Sequence, residues 1–247
     1  MTLTTTNECL LKYQKFIETT EFNPKIIRCL FVNAYNQFLA GTILAEKGLN
    51  TPSFNCLRMG LESEWIGIIL TRNREMGLFW AFGVGNDATQ KQLIQLERPF
   101  EIRKNLGNTE RITIKDRNEI YAALSDKSHT KMGSVTRFLI PRDAHPSDGY
   151  VDCIPPGGMR EEKAVENILQ GVRVVLSFAL AEIEDSLGCH LLENRWTWNR
   201  NELRYISGGG YADSHGEFEP HITSKGHPGR DSMQLMSLLS AIRHGKI

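Results

Sequence analysis

The sequence predicts an all-α protein, an antiparallel helical bundle of four to six helices over residues 1-190 followed by a C-terminal arm over 191-247. Three observations carry that expectation. Asn23-Pro24 and Thr51-Pro52 each set a side-chain oxygen before a proline, the residue tolerated at a first helical position because no amide is needed there. Between them, Gly48 suits the left-handed conformation that ends a helix, so a short connection makes the two helices pack antiparallel. Finally, Glu161 to Leu187 carries an unbroken apolar stripe at helical spacing, and no stretch alternates with the two-residue period of a strand.

Each element follows from its own pattern. A first helix from Thr6 or Asn7 to Glu18 puts Leu10, Tyr13 and Ile17 on one face. The second, Pro24 to Lys47, buries Ile27, Leu30, Phe31, Ala34, Phe38, Thr42 and Ala45. The third, Pro52 to about Asn73, turns Phe54, Leu57, Leu61, Trp65, Ile68 and Ile69 inward, and Arg58 and Glu62 share that face. Met76 to Gly85 is apolar but broken by glycines and reads as an irregular cover on the core, with a short helix as the alternative. Asp87 to Gln90 resembles a capping box opening a helix to near Leu106, kinked before Pro99. Thr113 or Asp116 opens the next, with Ile120, Tyr121 and Leu124 inward and an end near Ser128-His129. Pro141 to Gly158 is rich in proline and glycine and reads as a long loop. After the long helix, stopped by Gly188, the arm carries a short amphipathic helix from Asp231 with Met233, Met236 and Leu239 on one side.

Composition narrows the function classes. Lys plus Arg equals Asp plus Glu at 29 each, so no global field draws the chain to nucleic acid or an acidic membrane, although a local basic patch is compatible with the balance. The five cysteines are widely spaced, with no Cys-x-x-Cys pair, which argues for a reducing cytoplasm over a disulfide framework or thiolate zinc site. The start has no basic region followed by an apolar one, so no signal peptide is expected, and Met76 to Val84 is far too short to span a membrane.

Arg58 and Glu62 stand four residues apart on a face otherwise built of Phe, Leu and Trp, which makes them natural ion-pair partners. Tyr121, Ser125 and His129 recur at the same spacing on another helix, so the five groups are expected to meet. Two readings stand side by side. One is a structural network that fixes helix register. The other is a cleft in which His129 acts as acid or base while Arg58 holds an anion.

The runs Leu44-Ala-Glu-Lys-Gly48, Cys56-Leu-Arg58-Met-Gly-Leu-Glu62 and Tyr121-Ala-Ala-Leu-Ser125-Asp-Lys-Ser-His129 resemble an uncharacterised branch of the HEPN superfamily. That resemblance covers about residues 24 to 187 and implies a bundle of long helices, often a homodimer. Active members of the superfamily are metal-independent ribonucleases with an arginine four to six residues before a histidine. This chain departs from that pattern. Arg117 lies too far before His129, and Arg137 precedes His145 by one residue too many. The resemblance therefore implies a non-catalytic module binding a protein or nucleic-acid partner, with a divergent ribonuclease around His129, Arg58 and Glu62 as the alternative.

The remaining candidates are weaker. Arg195, Trp196, Trp198 and Arg200 interleave cations with aromatics, a composition suited to stacking on single-stranded nucleic acid or to capping a bundle end. His215, His221 and His227 match no compact metal motif, so neither metal nor cofactor is expected. Glu182, Glu184 and Asp185 read as a solvated face, and Gly208-Gly-Gly210 lacks the Lys-Ser/Thr of a phosphate loop.

Overall fold

The antiparallel hairpin forms, and the rest of the bundle assembles on its second helix. The computed structural model describes residues 2–96, 98–128, 139–141, 151–153, 162–191, 202 and 206. Helix α2 (Arg28–Glu46) follows a single 3-10 turn at Lys25–Ile27, and α3 (Asn50–Arg72) returns beside it. The reversal is a two-bond glycine cap. Gly48, at φ 72°, donates to the Ala45 carbonyl at 2.8 Å, and Leu49 donates to the Leu44 carbonyl at 2.9 Å.

The prolines take different places from those expected. Pro24, joined to Asn23 by a cis peptide, precedes the 3-10 turn. Pro52 is the third residue of α3, and no side chain caps either start, the flanking residues being Pro24 and Leu49. Proline is tolerated there for the expected reason, since first-turn amides have no intrahelical acceptor.

Glycines on α3 set the spacing of the hairpin. A Cβ on Gly60 would come within 2.5 Å of the Phe38 ring, and one on Gly67 within 2.9 Å of Phe31. Phe31 and Phe38 step seven residues along α2 while Gly67 and Gly60 step seven back along α3, the register of an antiparallel pair. Ser63 Oγ then donates to the Leu30 carbonyl at 2.8 Å and Ser53 Oγ to that of Gly41 at 2.8 Å, so backbone and side chains lock together. Buried residues surround α3 on most sides, including Phe54, Leu57, Leu61, Trp65 and Ile68. A helix with so little polar face belongs at the centre of a bundle.

Around it lie α1 (Thr2–Thr19), α4 (Arg74–Phe82), α5 (Asp87–Gln95), α6 (Pro99–Leu106), α7 (Ile114–Ser128) and α8 (Glu162–Leu187). Helix α1 begins earlier than expected, but Leu10, Tyr13 and Ile17 are buried as expected. It packs mainly against α8, whose apolar stripe runs to Gly188 at φ 69°. Met76 to Gly85 is the short-helix alternative: Asn73 Oδ1 accepts from the Met76 amide at 3.1 Å, and Gly83 at φ 68° ends α4. Asn86, one residue before the expected cap, opens α5 by accepting from the Thr89 amide at 3.0 Å. The helix expected to kink before Pro99 instead breaks, and Pro99 starts α6 at the first position, where proline fits best.

Thr113 and Asp116 both open α7, because they cap reciprocally. The Thr113 amide donates to Asp116 Oδ2 at 2.8 Å and the Asp116 amide to Thr113 Oγ1 at 3.2 Å. The described residues thus form eight α-helices and bear out the all-α class. One short ribbon interrupts the stretch expected to be loop: β1 (Leu139–Pro141) pairs antiparallel with β2 (Val151–Cys153), Leu139 opposite Cys153. Beyond residue 191, Glu202 accepts from Arg173 Nη2 at 2.7 Å and Ile206 is fully buried in the core. The rest of the arm, with its expected helix from Asp231, lies outside the described residues. No described helix is long and apolar enough to cross a membrane.

Candidate functional site

Helices α3 and α7 bring three of the expected polar residues, Arg58, Glu62 and Tyr121, together in a half-buried cluster. On α3, Arg58 Nε stands 3.9 Å from Glu62 Oε1 across one turn, and Arg58 Nη2 donates to Asn55 Oδ1 at 3.2 Å. From α7, the Tyr121 hydroxyl donates to Glu62 Oε1 at 2.8 Å. Ser125, one turn further on, is half-buried on the same helix. His129 lies outside the described residues, as do Arg195, Trp196, Trp198, Arg200 and the three arm histidines.

Arg58 and Glu62 are not sealed inside the seam as expected. Their side chains retain 20% and 29% exposure. A residue that sequence reasoning passed over completes the cluster. Arg103 of α6 lays its guanidinium over the Tyr121 ring, 4.2 Å from the centroid, and donates from Nε to Asn118 Oδ1 at 2.7 Å. Nothing in its local sequence, Glu-Ile-Arg-Lys-Asn, separates it from an ordinary surface arginine.

The sealed polar network lies elsewhere. Glu64 on α3 is fully buried, and neither carboxyl oxygen makes a well-formed hydrogen bond. The Tyr13 hydroxyl of α1 faces it, and Glu182 of α8 lies close enough to repel its charge. Glu182 is itself fully buried and holds Arg117 of α7 by two bonds of 2.7 Å, with Ser186 Oγ donating at 3.0 Å. Arg117 also donates to the Gly107 carbonyl. A signal for Glu64 was present: Leu57, Leu61, Glu64 and Ile68 follow the spacing of a buried stripe.

Burial, and then the Glu182 charge, hold the Glu64 carboxyl well above the usual carboxylate range, which favours its neutral form. Burial, followed by the influence of Glu64, likewise pushes the Tyr13 phenol up. Among the described residues of this interior, Arg117 is the cation beside the Glu64 and Glu182 carboxyls, and burial favours the neutral form of Glu64.

The expected solvated face at the end of α8 is a correction of the same kind. Glu182 is fully buried, Glu184 is 8% exposed, and the Asp185 side chain is 5% exposed. Asp185 accepts from Thr109 Oγ1 and the Arg111 amide, both at 2.8 Å, and from Arg111 Nε at 2.5 Å. Glu184 pairs with Arg111 at 2.9 Å. These acids clamp the α6–α7 connection onto α8, so they are consumed by structure.

Among the other displaced groups, the phenols and thiols are pushed further from neutral pH. Burial, then Glu62, pushes the Tyr121 phenol up. Burial also raises the thiols of Cys9 and Cys56 and takes that of Cys189 to about 11, with Glu184 adding to the effect. No group of three His, Cys, Asp or Glu side chains among the described residues converges on a metal position. Compared with protein-family models, curated proteins and solved structures, the chain matches none of them.

Proposed function

We propose that this chain is a non-catalytic helical module that docks a partner protein, a second copy of itself included. The observation that supports this reading is the aromatic end of α4. Trp80, Phe82 and Val84 stand 39%, 65% and 65% exposed within five residues of chain, next to a helix whose other face is packed in the core. Isolated exposed apolar residues are ordinary, but a run of large ones, two of them aromatic, marks a surface that gains by being covered. The resemblance to HEPN-like proteins, carried by Arg58, Glu62, Tyr121 and Ser125, points the same way, because the ribonuclease pair of that superfamily has no counterpart here. Sedimentation of the purified chain tests the reading. A concentration-dependent oligomer that Phe82→Ser weakens supports self-association. A strict monomer that captures no protein through this face contradicts the proposal, and a shift of RNA or DNA at low salt moves the reading to a nucleic-acid partner.

A second reading, a divergent metal-independent ribonuclease, draws on the meeting of Arg58, Glu62 and Tyr121 in a cluster that solvent reaches. RNA cleavage in a chelator by wild type but not by His129→Ala would establish it. Equal behaviour of the two proteins removes it.

A further inference from the structure

We draw no further inference here: the strongest candidate, the Tyr13, Glu64 and Glu182 side-chain cluster between α1, α3 and α8, belongs to the sealed network already described, all three residues being fully buried.

Discussion

The sealed core and the half-exposed cluster between α3 and α7 place the same residue types in different surroundings. In the core, Tyr13, Glu64, Glu182 and Arg117 join four helices with no solvent contact, and two carboxyls face one guanidinium. Burial and the Glu182 charge favour the protonated form of Glu64. Between α3 and α7, Arg58 and Glu62 stand 3.9 Å apart with both side chains partly exposed, and Arg103 lies over the Tyr121 ring beside them. Burial decides between the outcomes. A fully enclosed ion must be paired or neutralised, whereas a half-exposed one keeps its charge and stays available to a ligand.

The comparison breaks most visibly at Arg117. Arg117→Ala leaves Glu182 buried beside Glu64 with no cation, and should cost about 3–5 kcal/mol in urea unfolding. A loss below about 1 kcal/mol would show that the core network is not sealed. Glu64→Gln has the opposite sign. The folded carboxyl keeps its proton above its ordinary value of 4.5, so unfolding releases it. That contribution is complete below the ordinary value and is lost as pH rises, by up to about 1.4 kcal/mol per pH unit until the folded group ionises. Glutamine has no such proton to lose, so the variant should gain on wild type as pH rises from about 5 to 8, read by Tm against pH.

Substitutions in the half-exposed cluster should be milder. Tyr121→Phe removes one hydrogen bond to a carboxylate and weakens the platform under Arg103, for a loss of about 1–2 kcal/mol in the same urea assay. Arg58→Gln removes a long ion pair at the solvent edge and should change stability by less than about 1 kcal/mol. If Arg58→Gln cost as much as Arg117→Ala, the distinction between the two regions would be void.

The fold was legible wherever a pattern was local. Gly48 announced its cap, and the α8 stripe announced the longest helix, because helical periodicity and left-handed glycine are written in adjacent residues. The prolines marked the right places but not their exact positions, since proline fits several sites in a first turn. Met76 to Gly85 was ambiguous for a physical reason: Gly77 lies inside α4 while Gly83 ends it, and only the packed structure separates those roles. At the site, Arg58, Glu62 and Tyr121 were found through four-residue spacing on two helices. Which face each helix turned inward was not recoverable, so the buried acid was placed at Glu62 rather than at Glu64. Arg117 and the acids at the end of α8 gain their roles from partners more than sixty residues away, and Arg103 from Asn118 on the next helix. Such pairings depend on how helices dock, and no single segment records them.

Protonation of one side chain tests the contrast most directly. Carbon-13 NMR of glutamate-labelled protein, with Glu64→Gln to assign the signal, reads the Glu64 carboxyl as pH is raised from about 5 to 8. The account predicts a carboxyl signal that is still at the position of the neutral acid at pH values where free glutamates have already titrated, and that vanishes in the variant. A Glu64 signal that titrates like a free carboxylate, complete below pH of about 5, would contradict it.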